Sequence, residues 1–161
     1  MHDSLESSAS LRPATAEDLP KILDVECRAH VSPWTQTHFQ TELTKPYSTF
    51  WVLTDDETDS QILGYIIFWF MFDECQILNL AVDLGFRGLG FAKYMMSSCV
   101  QLAVRKGLSR VVLEVRKSNL AAIQLYQNLG FTIRQLRKEF YSNGEDAYQM
   151  TLDLGPEKTH F

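Results

Sequence analysis

Two stretches of the chain hold residues whose types and spacing suit chemistry. The first is Val82-Asp83-Leu84-Gly85-Phe86-Arg87-Gly88-Leu89-Gly90-Phe91-Ala92, with three glycines within six residues. Glycines let successive backbone N–H groups curl toward one point. A helix that follows adds its own unpartnered N–H groups and the positive end of its dipole. Such a loop can hold a diphosphate. Its spacing is neither G-x-G-x-x-G nor the G-K-[ST] ending of the common nucleotide loops, and Gly88-Leu89-Gly90 taken alone also reads as a plain tight turn.

The second stretch runs from Leu113 to Phe131. Glu114 stands among Val111, Val112, Leu113 and Val115, where a carboxylate must be solvated, paired or functional, and a cross-strand ion pair would satisfy it. Tyr126 shares a helical spacing with Ile123 and Leu129 and would serve as core. Asn119 would serve as a helix N-cap. Geometry offers a link among them. Three strand residues beyond Glu114 advance the chain by about 10 Å and seven helical residues up to Tyr126 return a similar distance, so a reversal near Ser118 sets the two near one level.

These residues need a frame, and the apolar periodicity supplies one. Thr15 and Asp18 precede Leu19, Ile22, Leu23 and Cys27 as an N-cap precedes the apolar face of a helix, which ends near His30. Ser32-Pro33 interrupts the chain, and 35–43 has the composition of a second short helix closed by Lys45-Pro46. Strands are expected at 11–13, 49–54, 61–72 and 74–82, with a turn at 55–60 and a join near Asp73. Residues 90–106 carry a 3.6-residue apolar period stopped by Gly107. A strand at 110–115, a helix at 119–129 ended by Gly130, and strands at 131–140 and 147–154 complete the order. The expectation is an α/β (α+β) single domain over 11–154, with a mixed sheet of about six or seven strands and helices on both faces. A loose leader at 1–10 and a tail at 155–161 flank it.

Placed between a strand and a helix, Arg87-x-x-Gly90-x-Ala92 resembles the R/Q-x-x-G-x-G/A acetyl-coenzyme A loop of the GNAT acetyltransferase superfamily. The run LEVR-x-SN-x-AAI-x-LY-x-x-LGF is similar to the RimI-type ribosomal-protein-alanine N-acetyltransferases. So are Arg28-Ala29-His30 with Pro33-Trp34-Thr35, Leu78-Asn79-Leu80-Ala81-Val82-Asp83, and Glu145-Asp146-Ala147. The matches keep register through most of 11–154. The resemblance implies acetyl-CoA as cosubstrate. It places Arg87, Gly88, Leu89, Gly90, Phe91, Ala92 and Lys93 around the coenzyme A phosphates, Leu80, Ala81 and Val82 along the pantetheine arm and acetyl carbonyl, and Asn119 in contact with coenzyme A. It makes Glu114 the general base and Tyr126 the general acid. Pro33 and Trp34 would form one wall of a peptide groove and Tyr141 the other, on a short link at 141–146. The implied acceptor is the α-amino group of a protein beginning with Ala, small-subunit ribosomal protein eighteen in that group. A lysine side chain, another protein N-terminus, a small amine, or a silent coenzyme A-binding module that needs only the loop are the alternatives.

Composition bounds the rest. With 161 residues and 45% of them hydrophobic, the chain suits one domain with a full core. Its 15 Lys and Arg against 20 Asp and Glu give a net charge of −5. That balance argues against a nucleic-acid binder and leaves room for a basic peptide partner. The longest apolar run, 62–72, falls short of the roughly 18–20 residues of a membrane span, and 1–10 lacks the build of a secretory signal, so a cytoplasmic protein is expected. Cys27, Cys75 and Cys99 each sit in an apolar pattern without a Cys-x-x-Cys pair and read as reduced core residues. His2, His30, His38 and His160 are scattered without ligand spacing, and no metal is expected. The pattern does not specify an oligomeric state.

Overall fold

The chain runs β1 (Ala9–Pro13), α1 (Leu19–Ala29), α2 (Gln36–Thr44), β2 (Ser48–Asp55), β3 (Ile62–Met71), β4 (Glu74–Val82), α3 (Phe91–Arg105), β5 (Arg110–Arg116), α4 (Leu120–Asn128), β6 (Thr132–Arg137) and β7 (Ala147–Asp153). This is a computed structural model, and it describes residues 9–56 and 61–155. The strands form one seven-stranded sheet in the order β1-β2-β3-β4-β5-β7-β6. All neighbours are antiparallel except β4 and β5.

The apolar run of 62–72 becomes β3, which is buried from Ile62 through Phe68 because helices cover both of its faces. On one face, α1 and α2 bring Leu19, Ile22, Val25 and Phe39 against Val52, Tyr65 and Ile67. On the other, α3 and α4 bring Met95, Met96, Cys99 and Ile123 against Ile66, Phe68, Val111, Leu113 and Met150. Each such side chain fully buried contributes roughly 1.5–3 kcal/mol. Gly64 lets α3 lie close. A Cβ there would stand 2.5 Å from the Ala81 carbonyl oxygen and 3.1 Å from the Met95 methyl, so no larger residue fits.

The feature that makes room for a site is the seam between β4 and β5. These two pair only from Glu74↔Arg110 to Ile77↔Leu113. Against β3 the register shifts so that Ile67 faces Asn79 and Phe68 faces Ile77, leaving Leu78 as an extra residue in β4. Such a bulge bends its strand and ends pairing. Beyond it β4 stays with β3 as far as Val82 and β5 stays with β7 as far as Arg116, so the sheet opens as a V.

Three expectations need correction. The first strand begins at Ala9, so residues 9 and 10 of the expected leader pair with Asp55 and Thr54. Cys27 is exposed rather than core, because the buried stripe of α1 follows Leu19, Ile22, Val25 and Glu26. Strand β6 stops at Arg137 instead of continuing to 140, since Glu139 takes a left-handed φ of 51° and its N–H is held by the Asp146 carboxylate at 2.9 Å. Residues 1–8, 57–60 of the expected turn, and 156–161 of the expected tail lie outside the described residues. Among the described residues no helix is long and apolar enough to cross a membrane.

Candidate active site

A cavity of about 1010 Å³ fills the V between β4 and β5 and reaches both faces of the sheet. Strand alternation decides what it meets. Val111, Leu113 and Val115 enter the core under α3 and α4, so Glu114 and Arg116 belong to the opposite face. Tyr126 comes from α4, on the first face. The two residues singled out together in the sequence thus sit on opposite sides of the sheet, and both border the cavity between β4 and β5.

The glycine loop forms its upper rim. After β4, Asp83 accepts a hydrogen bond from the Leu84 N–H at 2.9 Å and opens a single 3-10 turn, Leu84–Phe86. Its carboxylate also takes two bonds from Arg28, at 2.8 and 2.9 Å, which tie the loop to α1. Arg28 above all, and then the Leu84 N–H, hold the Asp83 carboxyl below its usual pKa. Gly88 and Gly90 take φ values of 77° and 86°, with open space where a Cβ would be. The backbone conformation, rather than crowding, demands glycine here. Gly90 is the N-cap of α3, whose first N–H groups have no intrahelical partner. Arg87, Gly88, Gly90, Phe91, Ala92 and Lys93 border the cavity. The resulting nest of N–H groups at a helix start, beside two cations, fits a diphosphate. Leu89, exposed like the residues beside it, does not border the cavity, whereas Gly88 and Gly90 on either side do. Leu80, Ala81 and Val82 line the β4 side. Asn119 caps α4 by accepting from the Ala122 N–H at 3.2 Å, and it borders the cavity as well.

Glu114 is paired across strands. Arg137 donates to its Oε1 at 2.8 Å and Gln149 to the same oxygen at 3.3 Å, while the side chain is only 9% exposed. Oε2 has no protein hydrogen bond among the described residues. Val111, Leu113 and Val115 lie on the far face, and on its own face the carboxylate meets the side chains of Arg137 and Gln149. No hydrogen bond reaches the Tyr126 hydroxyl from the described residues, and burial, with a smaller contribution from Tyr141, pushes its pKa up to about 12. Tyr141 is pushed up to about 12 by burial, against the opposing pull of Arg116. The Arg116 guanidinium lies 4.0 Å from the centre of the Tyr141 ring and donates to Glu145 at 3.0 Å and to Asn143 at 3.1 Å. Glu145 accepts from the Ser118 N–H as well. The link that carries Tyr141 therefore spans 138–146, longer than expected, and is fastened to the start of α4.

Across from Tyr141, Trp34 packs on Phe39 with ring centres 5.3 Å apart, and both Pro33 and Trp34 border the cavity. What holds Trp34 is a residue the sequence reading passed over. Glu26 is 1% exposed and accepts from the Trp34 N–H at 2.8 Å, from the Tyr65 hydroxyl, and from Asn79 at 3.4 Å. Burial first and the Glu26 charge second push the Tyr65 pKa well up, so its hydroxyl stays a donor. His30 Nε2 lies 3.4 Å from the same carboxylate and 3.2 Å from the Leu80 carbonyl oxygen. One signal for Glu26 was available: it follows Leu19 by seven and Ile22 by four, the spacing of the buried stripe.

Comparison with known proteins agrees with this architecture. Residues 19–131 match the family model described as Acetyltransferase (GNAT) family. The [ribosomal protein bS18]-alanine N-acetyltransferase of Escherichia coli (strain K12) is 31% identical over 140 residues, covering 85% of this chain and 92% of its own. A Bacillus subtilis (strain 168) relative that provisionally bears the same name is 34% identical over 152 residues, covering 93% of this chain and 99% of its own. The crystal structure of the ribosomal-protein-S18-alanine N-acetyltransferase from Escherichia coli superposes with a TM-score of 0.83 at 28% identity, over 95% of this chain and 99% of that one. Ard1 from Thermoplasma volcanium gives 0.85 at 25%, over 92% and 99%. With a family model spanning most of the chain and relatives above 30% identity along nearly their whole length, this chain belongs to the acetyltransferase (GNAT) family of acetyl-CoA-dependent acyltransferases.

Proposed function

We propose that this chain transfers the acetyl group of acetyl-CoA to the α-amino group of a protein N-terminus. Its acceptor is the N-terminal alanine of the small-subunit ribosomal protein that the relatives' names specify. The observation that carries the reading is that Glu114 and Tyr126, from opposite faces of the sheet, border one cavity next to the glycine loop.

Acetyl-CoA supplies an activated acyl thioester. The N–H groups of 88–93 hold its diphosphate, helped by the charges of Arg87 and Lys93, while Leu80, Ala81 and Val82 offer backbone groups to the pantetheine arm and Asn119 contacts the coenzyme. A peptide α-amino group has a pKa of about 7.7–8, so much of it arrives protonated near neutrality. Glu114, with Oε1 held by Arg137 and Oε2 open, takes a proton through a bridging water. A backbone N–H from 80–82 stabilises the charge that develops on the carbonyl oxygen. Tyr126, kept neutral by burial, donates its hydroxyl hydrogen toward the departing sulfur. A thiol pKa of about 8.5 lies below that of this phenol, so most of its help comes from the hydrogen bond to the developing thiolate. Pro33 and Trp34 on one side and Tyr141 on the other flank the acceptor's first residues. The net charge of −5 suits a basic acceptor, and we place the reaction in the cytoplasm, within a domain of residues 9–154.

The test is mass spectrometry after mixing the protein, acetyl-CoA and a basic peptide that starts with Ala and also contains lysine. Acetylation of the terminal Ala alone is expected. Acetylation of lysine would move the enzyme to another acceptor class, and binding of the coenzyme without product would leave a silent module.

A further inference from the structure

Glu26 and His30 take no part in the steps above, yet they form an ordered pair on the peptide side of the cavity. We propose that His30 is a second proton acceptor for the incoming α-ammonium and that Glu26 is its positioning residue. The proposal rests on the N-terminal acetylation reading.

The first support is the ring's hydrogen-bond arithmetic. His30 Nε2 is hydrogen-bonded to the Leu80 carbonyl at 3.2 Å and lies within ion-pair distance, 3.4 Å, of the Glu26 carboxylate. A carbonyl only accepts, so the hydrogen sits on Nε2, and in the neutral ring Nδ1 keeps its lone pair. The side chain is 34% exposed and borders the cavity, while Nε2 is tied inward. Nδ1 makes no hydrogen bond among the described residues. Glu26 in turn is locked by Trp34, Tyr65 and Asn79. A fixed carboxylate on one imidazole nitrogen selects the tautomer and stabilises the imidazolium when the other nitrogen takes a proton, the same logic as in a catalytic triad.

The second support is the proton count. An α-ammonium nitrogen sheds two protons during acylation. One leaves before attack, to free the lone pair, and one after the N–C bond forms and the C–S bond breaks. One of them balances the proton that the sulfur gains, and the other goes to solvent. Glu114 offers a single open oxygen. His30, bonded to the Leu80 carbonyl at the opening of the V and partly exposed, gives the first proton a separate route out. The titratable groups around it are Glu26 on α1 and Tyr65 of β3 behind that carboxylate, and His38 of α2, whose Nδ1 already accepts from the Thr35 N–H at 3.0 Å, borders the same cavity. Glu114, Arg116 and Tyr141 line the far side of the same cavity.

His30→Gln tests the idea, because a glutamine amide still donates toward Leu80 and Glu26 but has no basic nitrogen. Initial rates with acetyl-CoA and the Ala-initiated peptide are measured from pH 6.5 to 9.5. A loss of up to about tenfold in kcat/KM for the peptide is expected at pH 7, where only about a tenth of an amine with a pKa of about 8 is already neutral. It should shrink as pH passes the α-amino pKa of about 8, because the acceptor then arrives neutral. The KM for acetyl-CoA should not move. No loss, or a loss equal at every pH, overturns the proposal. Failure of the wild-type chain to acetylate the peptide would instead overturn the acceptor assignment, and nitrogen-15 NMR of the His30 ring then decides. The Nε2–H tautomer with a bare Nδ1 supports the inference, and the Nδ1–H tautomer defeats it.

Discussion

The two ends of the cavity are built from different materials. The rim at 83–93 is backbone: glycines in left-handed conformations and the first N–H groups of α3, with Asp83 and Arg28 anchoring the turn from outside. The proposed peptide side is side chains: Glu26 holding Trp34, Asn79 and His30, and Arg116 holding Tyr141. A backbone cradle tolerates substitution wherever the side chain points away, as Leu89 does, and fails only where φ is forced. A side-chain wall fails whenever its central partner is lost. The proposed chemistry sits at the junction, where Glu114 and Tyr126 border the same cavity from opposite faces of the sheet.

The largest effects are expected at that junction. Glu114→Gln and Tyr126→Phe should each lower kcat by about 10²–10⁴-fold, the range for a lost general base or acid, with the KM for acetyl-CoA nearly unchanged. Initial rates with each substrate varied in turn check this. Because burial holds Tyr126 near 12, the wild-type pH profile should show no fall from its ionisation between pH 7 and 10. Next in size is Glu26→Ala on the peptide side. It strands the buried Tyr65 hydroxyl and the half-buried Asn79 amide and Trp34 N–H, and stability should drop by about 3–5 kcal/mol in urea unfolding. Glu26→Gln, which still accepts from these donors, should lose less.

How much of this was legible in the sequence follows from the same contrast. Glycine spacing and the start of a helix are local facts, so the loop could be read directly from 85–92, as could the helical period of α3 and the apolar run of β3. Glu114 was ambiguous, because its partners Arg137 and Gln149 lie 23 and 35 residues away and only the sheet order brings them together. Glu26 was missed for the same reason at longer range, since Tyr65 and Asn79 are 39 and 53 residues on. The end of β6 depends on a left-handed Glu139, a conformation that a glutamate does not announce. The exposure of Cys27 followed from Glu26 taking the buried place on α1.

Smaller effects separate the two ends. Gly90→Ala must hold an L side chain at a φ of 86°, a strain of about 1–2 kcal/mol. It should raise the KM for acetyl-CoA roughly tenfold if that strain is taken from binding, with little change in the KM for the peptide. Trp34→Ala should do the reverse. A matrix of the two variants against the two substrates tests whether the rim and the wall act independently. A Gly90 variant that weakened both substrates alike would mean that the loop also shapes the peptide side.

The smallest effect is expected where the rim is anchored from outside. Asp83→Asn removes one partner of an ion pair whose Arg28 side is about half exposed, so the stability lost at pH 7 should be no more than about 1 kcal/mol, and less at high salt. Its pH dependence has a definite sign. Arg28 and the Leu84 N–H hold the Asp83 carboxyl below its usual value, so its contribution is fully present above the unfolded value of about 3.9 and is lost as pH falls through the folded one. The gap between wild type and variant in urea midpoints should therefore be constant from pH 7 to 5 and close in acid, once the folded carboxyl takes its proton. A gap that persisted in acid would assign the effect to the turn geometry of Asp83 and not to its charge, and the link between α1 and the cofactor rim would then be steric.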